Sequence, residues 1–109
     1  MPANAKKRTS LRSLGGLDAT CSPLTSRTKI CFPARVKDIS ETGIRMVVNC
    51  RMPAGDRVLV KLFNERNFAA CSVVAWVRQS VPQGPNHVML GCEFSKRLSE
   101  RDLAALLKA

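Results

Sequence analysis

The stretch Asp38-Ile39-Ser40-Glu41-Thr42-Gly43 sets a carboxylate, a hydroxyl and a glycine at fixed spacing between two apolar runs. As local structure it makes a turn: Asp38 can accept from backbone N–H groups near Ser40, and Gly43 permits a left-handed backbone before the next strand. A carboxylate and a hydroxyl presented on such a turn can also hold a ligand, so the setting decides between the two uses. A second pattern, R-x-x-x-R, occurs twice, as Arg8-Thr9-Ser10-Leu11-Arg12 and as Arg97-Leu98-Ser99-Glu100-Arg101. Eleven arginines in 109 positions produce about one such pattern by chance, so its place in the chain matters more than its presence.

Other chemistry is sparse. Cys21, Cys31, Cys50, Cys71 and Cys92 contain no C-x-x-C pair, and His87 is the one histidine, so the thiols read as reduced, apolar strand fillers rather than as a metal site. His87 follows the turn Val81-Pro82-Gln83-Gly84-Pro85-Asn86 and reads as solvated. No Ser/His/Asp or Cys/His arrangement, phosphate loop or paired carboxylates stand out. The chain reads as a binding protein and not an enzyme, with no cofactor.

Charge is uneven. Residues 1–37 hold eight bases (Lys6, Lys7, Arg8, Arg12, Arg27, Lys29, Arg35, Lys37) and one acid, Asp18, and so carry most of the net +10. That bias fits an anionic partner, whether nucleic acid, a phosphorylated ligand or an acidic protein face, and equally a solubilising tail.

The elements that must position these groups follow from periodicity. At 109 residues and 45% hydrophobic content the chain makes one core. No apolar run is long enough to cross a bilayer and the start lacks a secretory signal, which predicts a soluble, cytoplasmic protein with no membrane partner. Residues 1–14 predict a flexible basic arm, and residues 15–109 an ordered domain. Within it, Leu17 to Leu24 is a weak strand interrupted by Pro23. Thr28 to Lys37 is a strand with Ile30, Phe32, Ala34 and Val36 on one face. Ile44 to Cys50, a strand alternating about Val58, Val60 and Leu62, Phe68 to Val77, and His87 to Phe94 complete the set. Asn64-Glu65-Arg66-Asn67 reads as a polar hairpin loop, and Trp76 as a core residue with Arg78 solvated at the strand end. At the C-terminus Ser99 is a helix N-cap, Leu98 staples onto Leu103, and Leu103, Leu106 and Leu107 share a stripe. Six antiparallel strands and a short C-terminal helix at this size predict an all-β, closed or nearly closed barrel, with the helix over one mouth.

The order V-K-D-I-S-E-T-G-I-R-M, P-A-G-D-R-V-L-V-K-L, V-V-A-W-V-R, L-G-C-E-F, L-S-E-R-D-L-A-A-L-L resembles the PilZ domain family from about residue 8 onward. The resemblance implies a six-stranded β-barrel that binds the bacterial second messenger cyclic di-GMP through D-x-S-x-x-G, matched by Asp38, Ser40 and Gly43, and through an R-x-x-x-R before the first strand, matched by Arg8 and Arg12. On that reading the arginines bind phosphate oxygens or a guanine O6/N7 edge, Asp38 accepts from guanine N1–H and N2–H2, Ser40 bonds phosphate or base, and Gly43 allows close backbone approach. The implied protein is a single-domain receptor or adaptor that relays the ligand to a downstream protein by ordering its arm. Two alternatives stand beside it. One is a barrel of the same fold that no longer binds nucleotide and serves as a protein-interaction module. The other, disfavoured by only five aromatics at positions that look mostly buried, is an RNA- or DNA-binding barrel.

Overall fold

The computed structural model describes residues 17–24 and 30–108. Six strands, β1 (Leu17–Pro23), β2 (Phe32–Ile39), β3 (Gly43–Val48), β4 (Arg57–Asn64), β5 (Ala70–Pro82) and β6 (Val88–Phe94), precede one helix, α1 (Glu100–Leu107). All strand pairs are antiparallel, and they close into a barrel in the order β1-β2-β3-β6-β5-β4. The predicted arm, with Arg8 and Arg12, lies outside the described residues. No described helix is long and apolar enough to cross a membrane.

Alternation builds the core. In β4 Val58, Val60, Leu62 and Asn64 point inward, while Arg57, Lys61 and Phe63 point out. Met46, Val77, Leu90 and Cys21 fill the same interior from the other strands. Each fully buried aliphatic side chain of this kind contributes about 1.5–3 kcal/mol. β1 pairs with β4 over seven positions, from Leu17 opposite Asn64 to Pro23 opposite Val58, but with β2 over three, Ala19 to Cys21. Pro33, opposite Thr20 at the centre of that short ladder, and Pro23, just beyond its Cys21 end, have no N–H to donate to it.

Two bulges interrupt the alternation. On β2, Val36 faces Met46 and Asp38 faces Arg45, so Lys37 is an extra residue; on β5, Val77 faces Cys92 and Gln79 faces Gly91, so Arg78 is extra. Period two carried through from Val36 would have turned Asp38 into the core. The bulge instead buries Ile39 and brings Asp38 to the outer face. It also corrects the predicted strand ends. β2 runs on through Asp38, and Ile30, expected on the inner face, is exposed. β5 starts at Ala70 and continues past Val77 to Pro82; the extra Arg78 shifts its phase, so that Ser80 stands opposite core Leu90 while Gln79 and Val81 turn outward opposite Gly91 and Met89.

The aromatics are less buried than the sequence suggested. Phe94 alone is fully buried; Phe32 and Trp76 are half-buried on their strands, and Phe63 and Phe68 are exposed. Phe68 adopts a left-handed backbone (φ 62°) and its ring lies 6.2 Å from that of Phe63.

The helix closes one mouth as expected, with Leu98 and Leu106 in the core and Leu103 and Leu107 packed beside them. Its first turn is capped by Ser99 Oγ, which accepts from the Asp102 amide at 3.0 Å. Its last turn has no basic side chain, and the orphan carbonyls there are met by the β4–β5 hairpin. Buried Asn64 donates through Nδ2 to the carbonyls of Leu106 and Lys108, both at 2.8 Å, and accepts from the Arg66 amide at 2.8 Å; Asn67 donates to the Ala105 carbonyl at 2.7 Å. The stretch expected to be a plain polar loop is thus the clamp on the helix.

Replacing Asn64 with alanine strands two carbonyls and one amide, and should cost about 1–3 kcal/mol, read as a lowered midpoint in urea or thermal unfolding. Burial also pushes the Cys21 thiol up to about 12 and the Cys92 thiol up to about 11 from an ordinary 9.0. The folded state therefore keeps protons that the unfolded chain releases, so stability should fall as pH rises above about 9. Substituting serine or alanine at both positions should flatten that alkaline slope in unfolding curves.

Candidate functional site

Residues 40–42 join β2 to β3, and the neighbouring chain pins them. The Ser40 amide donates to the Gly43 carbonyl at 2.9 Å, and Ser40 Oγ accepts from the amides of Thr42 and Gly43, each at 3.3 Å. From the end of β6 and the segment after it, the Phe94 amide donates to the Thr42 carbonyl and the Leu98 amide to the Glu41 carbonyl, both at 2.8 Å, while Arg97 pairs with Glu41 at 2.6 Å. Arg97, from the second R-x-x-x-R, is thereby assigned to bracing the turn.

The local chemistry differs from the sequence expectation in two ways. Ser40, not Asp38, caps the turn. Asp38 reaches across the hairpin to Arg45, whose Nε donates to Oδ2 at 2.7 Å and whose Nη2 also contacts Oδ2. This hydrogen bond raises the Arg45 guanidinium above its ordinary value, and the pair sits on the outer face because the β2 bulge puts Asp38 opposite Arg45. Gly43, for its part, does not adopt a left-handed backbone, positive φ among the described glycines being confined to Gly55 and Gly84. Its need for glycine is steric: a Cβ there would lie 2.4 Å from the Cys92 carbonyl oxygen on β6.

Asp38, Ser40 and Gly43 are brought together along one wall of an open cleft of about 340 Å³. Its floor follows one register row, Asp38, Arg45, Gly91 and Gln79, across β2, β3, β6 and β5. Gly91 leaves the centre of that row without a side chain. Arg78, the extra residue of the β5 bulge, pairs with Glu93 at 2.9 Å on the opposite wall. Beside it Trp76, half-buried and outward-facing, has the guanidinium of Arg57 5.4 Å and that of Arg78 5.6 Å from its ring centroid, within cation–π range. The expected core role of Trp76 is corrected: the residue pairs with Glu93 on the outside of the barrel.

Arg45, Arg78 and Gly91 escaped the sequence reading. Arg45 was within reach of hairpin logic, since a short turn after Asp38 pairs it with a residue near position 45. Gly91, an isolated glycine within a strand, was a signal of an open or closely approached surface. Arg78 had no comparable signal, because its direction depends on a bulge.

The described cleft carries Asp38 and Glu93 against Arg45 and Arg78, so its two ion pairs cancel. It offers hydrogen-bond donors and acceptors but no surplus positive charge. The arrangement can bind, and the described residues include no group of three or more His, Cys, Asp or Glu placed to hold a metal ion.

A family model described as PilZ domain matches residues 6–109. No curated protein matches the sequence.

Gly43→Ala should destabilise the barrel by about 1–3 kcal/mol through the clash with the Cys92 carbonyl. Gly91→Ala, whose Cβ would meet only the Gln79 side chain at 3.4 Å, should be the milder change. Thermal unfolding of the two variants in parallel checks the order.

Proposed function

This chain belongs to the PilZ domain family, a family of cyclic di-GMP receptors, and from that premise we propose that it binds cyclic di-GMP over the Asp38–Gly43 cleft and relays it as a single-domain receptor or adaptor. PilZ domains are binding and adaptor domains rather than enzymes. The observation that carries the reading for this chain is a complete D-x-S-x-x-G lying on the wall of a cleft whose own charge is zero.

The division of labour follows from that charge. Cyclic di-GMP brings two phosphodiester anions and two guanines. Arg45 occupies only Oδ2 of Asp38, which leaves Oδ1 to accept from the N1–H or N2–H2 group of a guanine. Ser40 Oγ accepts from two backbone amides and lies 3.3 Å from Thr42 Oγ1, and its hydroxyl can turn from Thr42 to donate to a phosphate oxygen. Gly43, held against β6, keeps the turn at the depth the ligand needs. Trp76 between two guanidiniums offers a further flat surface at the rim.

With the cleft arginines matched by acids, the two phosphate charges need other cations, and Arg8 and Arg12 supply them. Reach permits it. Ala19 pairs with Ala34 in antiparallel register, so the chain enters β1 at the end of β2 where Asp38 stands. Arg12 is five residues before Leu17, a span of at most about 17 Å when extended. Residues 1–12 contain four bases, no acid and little to bury. Binding closes this arm over the ligand, part of the interaction energy goes into ordering it, and the closed arm presents a new surface to a downstream protein.

Calorimetric titration with cyclic di-GMP should show saturable binding with selectivity over GTP and cyclic GMP. Arg8→Ala or Arg12→Ala should each weaken it by about 1–3 kcal/mol, roughly five- to a hundred-fold, and Asp38→Ala and Ser40→Ala should lower affinity more than they lower the melting temperature. Hydrogen exchange in residues 1–12 should slow at saturating ligand. Wild-type binding that persists unchanged in both arginine variants would remove the arm from the mechanism, and absence of wild-type binding would leave the protein-interaction module as the function.

A further inference from the structure

Phe68 is 76% exposed, more than any other large hydrophobic side chain among the described residues. It is also the one non-glycine residue among them with positive φ, 62°. A left-handed backbone favours glycine and disfavours a bulky aromatic. The β4–β5 hairpin imposes it nonetheless. The Phe68 amide donates to the Asn64 carbonyl and the Asn64 amide to the Ala69 carbonyl, both at 2.8 Å, and the Ala69 amide donates to Asn67 Oδ1 at 2.9 Å. Glycine would meet these bonds at no steric cost, yet the chain places a ring there and stands it 6.2 Å from that of Phe63. Burial does not explain the choice, and backbone preference opposes it. Strain of this kind is kept where the displayed group has a use.

The two rings sit on the outer face of β1, β4 and β5. Phe63 stands in one register row with Asp18 on β1 and Ala70 on β5, and the small Ala70 leaves the flank of its ring open. Two rows further along, Leu59 opposite Val74 continues the apolar surface, half-buried. The loop that carries Phe68 is tied to α1 through Asn64 and Asn67, so the surface is set before any partner arrives. Within two strand positions of Phe63, and in the loop itself, the charged side chains are Asp18 and Glu65 against Lys61 and Arg66. All four are exposed, and none is in an ion pair with another described residue. The patch is therefore electrically balanced on a chain of net charge +10.

We propose that this face is a self-association surface, and that its occupant is a second copy of this chain. Two copies of so basic a protein repel each other over most approaches. An apolar centre ringed by equal numbers of acids and bases removes that repulsion locally, and in a two-fold pairing, where the same patch meets itself, the acids of one copy have the bases of the other to face. A patch of one sign would instead select a partner of the opposite sign. Exposed aromatic rings are the groups that anchor such contacts. The apolar centre is small, so the dimer is a weak one, with a dissociation constant on the order of 100 µM. The patch centres on β4, which contributes no residue to the Asp38 cleft, and the proposal does not rest on binding there.

The test is sedimentation equilibrium of the full chain under reducing conditions, from about 10 µM to about 1 mM, a range that brackets the expected dissociation constant. The weight-average mass should climb from that of a monomer toward twice that value. Phe68→Gly should weaken association at least about tenfold while its melting temperature holds or rises, because glycine relieves the left-handed backbone; a ring kept only for stability would lower it. Lys61→Glu exchanges a base for an acid, which reduces the repulsion between whole molecules but unbalances the patch, and it too should weaken association. Val81→Ser, which removes another exposed hydrophobic side chain beyond the Arg78 bulge, should associate as the wild type does. A chain that stays monomeric throughout, a dimer indifferent to Phe68→Gly, or one strengthened by Lys61→Glu would overturn the proposal. So would a monomer that binds phosphatidylglycerol vesicles through Phe68, which would assign the face to a lipid surface.

Discussion

A closed barrel has no edge at which a strand can slip, so the direction of every side chain is fixed by alternation unless a strand carries an extra residue. The rest of this structure depends on that constraint and on its two exceptions. Lys37 and Arg78 are the extra residues, on β2 and β5, and the strands between them are β3 and β6. One bulge moves Asp38 from an inward to an outward phase while still burying Ile39. The other sets Arg78 beside Glu93 and lets β5 continue into a long hairpin with β6. The candidate cleft is the surface between these two irregularities.

Close backbone approach then holds the site in shape. Gly43 admits the Cys92 carbonyl, and the end of β6 with the segment after it returns two amides and Arg97 to the turn carbonyls and to Glu41. The turn is therefore supported from the segment that leads into α1. That helix is itself tied back to the barrel by Asn64 and Asn67, which satisfy the carbonyls of its last turn. Residues distant in sequence, near positions 40, 64 and 100, thus share one rigid frame, which suits a site whose polar groups must be in place before a ligand arrives.

Charge sets the chemistry of the Asp38 cleft. Around Asp38 every described arginine has an acid, so selectivity there would come from hydrogen-bond geometry and from cations brought by another part of the chain. The net +10 is thus not gathered at this cleft.

Much of this was legible in the sequence, since local rules suffice for it. Alternation in β4, the Ser99 cap, the Leu98 to Leu107 stripe and the D-x-S-x-x-G stretch determined strands, helix, barrel class and the position of the turn. Its chemistry was not legible to the same depth. Whether Asp38 caps the turn or meets Arg45 depends on one extra residue in β2, and why Gly43 must be glycine depends on a carbonyl nearly fifty positions later. Trp76 and Phe63 look like core residues by type, yet their phase within closed strands turns them outward. Local propensity and periodicity act over a few residues, so the sequence alone determines the elements. Bulges, cross-strand partners and the balance of charge in a cleft arise from contacts between distant segments, and those only the tertiary structure decided.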